Sequence, residues 1–506
     1  MPGPVSFRST PALSTKVRRW PVKFAGGYGD NNCHDSSFNQ YFSMRLLVLF
    51  FFLLLVTPSI AQQKPFQSPV QRALQNVYVK QQGEPLFLPD AIATAMAQNY
   101  QIKGLQTQEQ IARNERIPAN AGFYPIITGN ANANGNNQSI NQTFIDNIRP
   151  PQIINGIFNR TSQVGVNMNW MVFNGLANYA IYERFGELVR VSEVNTRASV
   201  EQTIANVATA YYDVVRQLQQ LLSFRQALDI SRDRRELAKA NYEVGTRSKV
   251  DYLTAQVDYN ADSVTLLTQE QSLRSAKILL NTLLVRDPLT DFAVRDTILV
   301  NSTMNLSQIR GQMASNNPLL VAAALNRRVA DIGIRLARAQ RQPTISLQTG
   351  YNLTFINNEG GFGVAQGRNR GLTYSLQASI PLFNGGNIRR LEANARANAL
   401  AAEYQQADQK VMLEQAVAQT FTQYQNSLAL LNVEVQNYKI ALENIDIAYD
   451  RYRVGNSTPV EFRDVQRNSV AAQARLFDAE FNAKAAEIEL LRLSSTISQT
   501  YLGVKN

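Results

Sequence analysis

Two periodicities of apolar and polar positions take turns along the chain. In Ile345 to Phe355 the odd positions are mostly apolar and the even ones small or polar. In the next run Tyr374, Leu376, Ala378, Ile380 and Leu382 share one face, and Ser375, Gln377 and Ser379 share the other. Earlier, Val164, Val166, Met168, Trp170 and Val172 oppose Gly165, Asn167 and Asn169. A period of two predicts strands with one wet and one dry face. A weaker strand is predicted over Ile126 to Asn134, where the apolar face is mostly Gly and Ala. Strands of about 10 residues, apolar outside and polar inside, fit a transmembrane barrel, although a soluble sandwich gives the same alternation.

The second periodicity is helical. Val417, Phe421, Tyr424, Leu428, Leu431, Val435, Tyr438, Leu442, Ile445 and Tyr449 follow one another at steps of four and three, with no Pro between Gly385 and Pro459. That heptad seam predicts coiled-coil packing. Val207, Tyr211, Val214, Leu218 and Leu221 form a matching seam, which turns partly basic at Arg225, Arg232, Arg235 and Lys239. A helix of about 65 residues reaches about 100 Å and needs partner helices along its length. Alternating alanines from Ala393 to Ala401 permit close approach.

The chain is also a duplication. Phe173-Asn174-Gly175 recurs as Phe383-Asn384-Gly385, and Tyr242-Glu243-Val244-Gly245 as Tyr452-Arg453-Val454-Gly455, both 210 positions on. Asp251-Tyr252 is matched by Glu461-Phe462, and Gln256 by Gln466, in the same register. Upstream, Asn99 and Pro125 answer to Asn317 and Pro343 at an offset of 218. Eight residues are therefore missing from the second copy between Pro343 and Phe383, which points to a surface loop. Each half opens with a helix, expected over Ala91 to Arg116 and Leu319 to Arg341, with Pro at a favoured early position and Pro again beyond its end. Residues 62–288 and 317–506 are thus read as repeats, and 289–316 as a link between them.

After residue 61 no apolar run approaches the roughly 20 residues of a spanning helix, so a membrane crossing by the mature chain must use a β-barrel. Residues 1–61 read as an upstream extension and a signal peptide. Met44-Arg45 precedes the apolar run Leu46 to Val56, and Ser59-Ile60-Ala61 suits cleavage before Gln62. Met44 is taken as the translation start, which peptides from the unprocessed precursor would test. The chain's single Cys33 and single His34 both lie in this leader. The mature chain thus has no thiol or imidazole chemistry, no disulfide and no lipid-bearing cysteine. Its net charge is +7, from 44 Lys and Arg against 37 Asp and Glu, down from +11 for the full chain. The charges are interleaved, with no basic block set among aromatics, which argues against nucleic-acid binding. No phosphate-binding loop, nucleophile motif or metal-ligand cluster is present, and no cofactor is expected.

Duplicated helix, strand, strand and long-helix halves behind a signal peptide, with Phe-Asn-Gly after the strands and Tyr-x-Val-Gly-x5-Asp/Glu at the helical turn, resemble the TolC-like outer membrane efflux proteins. The resemblance runs from residue 86 to residue 503. It implies an α+β membrane protein of the Gram-negative outer membrane. Three copies would give four strands each to a twelve-stranded β-barrel, continued into the periplasm by an antiparallel coiled-coil barrel. It implies a passive exit duct fed by an inner-membrane pump through a periplasmic adaptor, with outer-membrane lipid around the barrel. A surface-anchored coiled-coil scaffold is the competing reading, distinguished by needing no amphipathic strands.

Gly245 and Gly455 suit the left-handed backbone of a tight turn between helices, as they also suit plain helix caps. By resemblance, Val244-Gly245-Thr246 and Val454-Gly455-Asn456 form the adaptor-docking tip. Glu461 and Asp464 fall where the family places acidic rings at its constriction, rings that favour cations. Asp251 and Tyr452 match a family pair that ties neighbouring helices shut. The family's companion arginine is replaced by Ser457, and Arg247 stands in the first half instead, so a rewired bond from Arg247 to Glu461 is expected.

Overall fold

The structure, a computed structural model, describes residues 83–145, 148–294, 297–359 and 364–503, all within the unit Gln67–Asn506. The leader reading, with Cys33 and His34, lies outside the described residues. The first half runs β1 (Glu84–Pro85), α1 (Leu88–Gln98), α2 (Tyr100–Glu115), β2 (Ile126–Gln142), β3 (Gln152–Asn174), α3 (Ala177–Glu243) and α4 (Lys249–Leu283). The second runs β4 (Phe292–Ala293), α5 (Leu306–Asn316), α6 (Pro318–Ala339), β5 (Thr344–Asn358), β6 (Gln366–Ser379), α7 (Asn387–Arg453) and α8 (Pro459–Leu493), and α9 (Ile497–Leu502) follows. The bounds of α3 and α7, and of α4 and α8, differ by 210 at both ends. Those of α1 and α5 differ by 218. β1 and β4 pair in parallel, so both halves set out from one small sheet.

The opening helix differs from the sequence reading. The expected helix from Ala91 to Arg116 is two helices, broken at Asn99. There ψ is 120°, and the side chain accepts from the N–H groups of Gln101 and Ile102 at 2.9 and 3.1 Å. This is an N-cap, which satisfies donors that a continuous helix would bond internally. Asn317 repeats it, accepting from the Leu319 N–H at 3.0 Å and donating to the Leu493 carbonyl at 2.9 Å. Consequently the segment read as a link contains α5, the counterpart of α1. Only Ile309 and Met313 of α5 are buried, too few to announce a helix by periodicity.

The sheet has the order β2-β3-β5-β6, antiparallel throughout, with β2 and β6 as open edges. Ile126 to Asn134 is the first part of a 17-residue strand. The missing eight residues come out of the strands as well as the loop, β5 and β6 having 15 and 14 residues against 17 and 23. β6 stops at Ser379, so Ile380 and Leu382 carry on the alternation beyond the sheet, around Pro381, which has no N–H to pair.

The register puts Gly129, Val166, Tyr351 and Leu372 in one row across the sheet. On that face Val164, Val166, Tyr351, Leu372, Tyr374 and Leu376 are all more than 50% exposed. The other face carries asparagines that lie across neighbouring strands. Asn167 donates to Asn130 at 2.6 Å, and Asn352 to Asn167 at 3.4 Å. Gly165 and Gly350 make room: a Cβ on Gly165 would fall 2.0 Å from the Asn352 amide oxygen, and one on Gly350 2.1 Å from that of Asn167.

α3 and α7 have 67 residues each, about 100 Å at 1.5 Å per residue. Towards the strands they pack as a row α2, α3, α6, α7, and towards the far end as α4, α3, α8, α7. Val417 and Tyr424 of the predicted seam are fully buried and Ile445 nearly so. In α3 the buried stripe moves after Leu221 to Ala227, Ile230, Arg234 and Ala238. Arg225, Arg232, Arg235 and Lys239 then lie beside it and pair with neighbouring acids. Among the described residues no helix is long and apolar enough to cross a membrane.

Candidate functional site: the helical tip and the strand junction

Each long helix ends in a five-residue turn, 244–248 or 454–458, before the next begins. The Gly245 N–H donates to the Tyr242 carbonyl at 3.0 Å and the Thr246 N–H to that of Asn241 at 2.9 Å. Gly455 and Asn456 repeat the pattern onto Tyr452 and Arg451 at 3.1 and 2.8 Å. With φ of +78° and +84° these are Schellman caps. Nothing lies within 4 Å of a Cβ at either glycine, so backbone conformation, not crowding, selects the residue. Val244 and Val454 stand 72% and 65% exposed at the apex of the turns, beside the exposed Val250 and Val460.

The next helices start from hydroxyl caps. Ser248 accepts from the Asp251 N–H at 3.3 Å. Thr458 accepts from the Glu461 N–H at 3.2 Å, while the Glu461 carboxylate takes the Thr458 N–H at 3.4 Å and the Ser457 hydroxyl at 3.0 Å. This is a capping box. The Ser457 hydroxyl, then the Thr458 N–H and the Arg451 charge, hold the Glu461 carboxyl below its ordinary range.

The expected bond from Arg247 to Glu461 is therefore not formed within the chain. Glu461 is engaged by its own cap, with Arg451 4.0 Å away. Arg247 instead sets its guanidinium 5.8 Å from the centre of the Tyr452 ring. Tyr452 is only 4% exposed and stacks on Phe462 at 5.2 Å. Asp251 is half-buried in the first turn of α4, and Asp464 is exposed on α8.

A charged cluster farther along the helices was not read from the sequence. Arg463 of α8 grips Asp262 of α4 with two nitrogens, at 2.6 and 2.8 Å, and lies 3.6 Å from Asp258. Its reach crosses α3, where Ser231 donates to Asp262 and Arg234 donates to Asp258 at 2.5 Å. Gln466 fixes the same spot, donating to Ser231 at 2.9 Å and to the Ala227 carbonyl at 3.0 Å. The cluster ties three helices and both repeats together. Arg234 is 2% exposed, with Nε and Nη1 unpaired. Its sequence signal is that none of its charges recurs in the other repeat: Asp258, Asp262, Arg234 and Arg463 correspond to Asn468, Ala472, Asn444 and Leu253.

At the other end, strand passes into long helix through two successive left-handed residues, Gly175-Leu176 and Gly385-Gly386. A Cβ on Gly175 would fall 2.5 Å from the Ala339 carbonyl oxygen, so only glycine lets α6 lie so close. Trp170 donates its indole N–H to the Phe123 carbonyl at 2.9 Å, and Asn178 donates to the Gly122 carbonyl at 2.9 Å. Below the junction Glu392, 4% exposed, gathers Arg338 at 3.0 Å, Arg396 at 2.7 Å and Arg341. Hydrogen bonding from Arg338 leads in holding its carboxyl below the ordinary range. Tyr124, Tyr179, Leu382 and Phe383 are exposed around the junction. Among the described residues no group of His, Cys, Asp and Glu could hold a metal ion.

An arc of long helices continuing an amphipathic sheet is shared with known proteins. The outer membrane protein TolC of Vibrio cholerae serotype O1 is 25% identical over 317 residues, 61% of this chain and 71% of that protein. The toluene efflux pump outer membrane protein TtgC of Pseudomonas putida is 23% identical over 460 residues, 85% and 88% of the two chains. Among solved structures, the outer membrane protein VceC of Vibrio cholerae superposes with a TM-score of 0.65 at 18% identity, covering 80% of this chain and 95% of that one. The fold is thus that of the outer membrane channels. Residues 91–285 and 309–495 match the family described as outer membrane efflux protein. With most of each repeat inside that match, the chain belongs to the outer membrane efflux protein family.

Proposed function

We propose that three copies of this chain assemble into an exit duct, with a barrel in the outer membrane and a helical tunnel in the periplasm. One observation carries the reading. A four-stranded sheet with two open edges, one exposed apolar face and one asparagine face leads directly into helices of about 100 Å. Open edges are not tolerated in lipid, so the sheet must be closed by further copies. The helices leave matching edges. Val433, Ile440 and Ile447 recur every seven residues along α7, with Val454 continuing the spacing into the turn, and Val250, Val257 and Val264 do so along α4, all of them exposed. Such head-to-tail faces generate a ring when the rotation closes.

At the far tip, Val244-Gly245-Thr246 and Val454-Gly455-Asn456 dock the periplasmic adaptor that links the duct to an inner-membrane pump. Glu461 and Asp464 line the constriction. Arg247, Asp251 and Tyr452 hold it closed together with the Arg463 cluster. In this reading the chain conducts and performs no chemistry of its own. Negative-stain microscopy of the mature protein, extracted in detergent from outer membranes, tests the assembly. The expected images are threefold tubes with a shaft of about 100 Å. Monomers, or thin rods without a barrel end, would leave the scaffold reading in its place.

A further inference from the structure

Building on the barrel reading, we propose that the loop end of the sheet's apolar face binds the phosphorylated head group of outer-leaflet lipid. The four strands contain no Asp, Glu or Lys, and their only charged residues are Arg160 on β3 and Arg368 and Arg370 on β6. All three lie towards the loops that join the strands. All three also lie on the apolar face. Arg370 stands opposite Leu353, which stands opposite Val164, and Arg368 stands opposite Phe355. They thus extend the row Leu376, Tyr374, Leu372 in even steps, as Arg160 extends Val166 and Val164.

Each is exposed, and none is in an ion pair with a described residue. The Arg368 guanidinium lies 5.5 Å from the Phe355 ring centre, and that of Arg160 lies 5.4 Å from the Phe158 ring centre. From Ile345 to Phe355 a tilted strand rises about 25 Å, the height of an outward apolar band, so these arginines sit at its outer border. Aromatic rings at that level mark the head-group layer. An unpaired cation there is of little use to the fold, and a neutral polar residue would serve as well. Three guanidiniums outnumber Glu359, the one described carboxylate at this end of the sheet, and are in no ion pair with it; they complement an anion, and their forked donors match phosphate oxygens two at a time. With the barrel closed, the loop end faces away from the periplasmic helices, so the phosphates within reach belong to lipid of the outer leaflet. A ring of such contacts would hold a lipid annulus in place around the trimer.

The test uses the detergent-solubilised full-length assembly, with bis-phosphorylated lipid A as the probe and native mass spectrometry as the readout. Arg160→Gln, Arg368→Gln and Arg370→Gln together are expected to weaken binding about a hundredfold. Lipid A stripped of its phosphates is expected to bind the unchanged protein as poorly, and millimolar inorganic phosphate not to displace the intact lipid. Equal binding by the triple variant, equal binding of the stripped lipid, or displacement by free phosphate would each overturn the proposal. If the triple variant does not insert, Arg370→Gln alone is read in the same way, with an expected loss of about fivefold. Microscopy of the same samples separates the two levels. Threefold tubes with unaltered lipid binding sink the lipid site alone, whereas absent tubes in the unchanged protein sink the barrel reading and the lipid site with it.

Discussion

Arg463 shows how much one side chain can join. It reaches from α8 across Ser231 of α3 to Asp262 and Asp258 of α4, so three helices depend on one guanidinium. Removing one partner of a buried pair costs 3–5 kcal/mol. Here the acids keep 16% and 22% exposure, and about 2 kcal/mol is expected. Arg463→Ala should therefore speed hydrogen exchange in α4 near Asp262 and, with the tip held less tightly, raise single-channel conductance. Unchanged exchange and conductance would remove the cluster from the closing mechanism. Glu480, on the same helix, is a second residue with a measurable signature. Burial pushes its carboxyl from 4.5 up to about 7. Between those values the folded state holds a proton that the unfolded chain has released, so this group's contribution makes stability fall as pH rises from 4.5 to 7. Glu480→Gln should flatten that part of a thermal-unfolding profile, and a slope left intact would assign it to other groups.

Among the elements, what could be read in advance followed strict physical rules. Alternation in Ile345 to Phe355 and the four-three seam from Val417 announced strand and helix because each face of an element meets one kind of environment along its length. Three features were not legible. Asn99 looks like any polar residue in a helical run until its side chain is seen capping Gln101 and Ile102. Arg234 occupies a buried stripe position, where a cation reads as surface unless its distant acid, Asp258, is known. The Arg247 to Glu461 bond is what the resemblance implies once Ser457 replaces the family's arginine, and the local capping box at Thr458 takes Glu461 first. Contacts within four residues form without chain closure, so they win over distant partners of similar strength.

For the whole molecule the unpartnered edges are decisive. Val433, Ile440 and Ile447 form an exposed apolar row along α7, which Val454 continues into the turn. Ile440→Asp with Ile447→Asp would place carboxylates in the proposed ring interface while leaving the core of the chain, centred on residues such as Tyr211 and Val417, untouched. The expected result is loss of the trimer at unchanged helix content, read by light scattering behind size exclusion and by circular dichroism. A variant that remained trimeric would place the interface elsewhere.

The asparagine face of the sheet has a consequence for what can pass. Asn130, Asn167 and Asn352 are tied to one another and lie over the bare backbone of Gly165 and Gly350. Nowhere along the four strands does that face carry a charge. A wall of pinned, neutral amides offers a solute neither a countercharge to linger on nor a loose side chain to push aside. In the proposed barrel, this stretch is therefore indifferent to the sign of its cargo and resists only by width. Anions and cations of equal size should cross this stretch at equal rates, and any preference must be imposed earlier, as at the proposed Glu461 and Asp464 constriction.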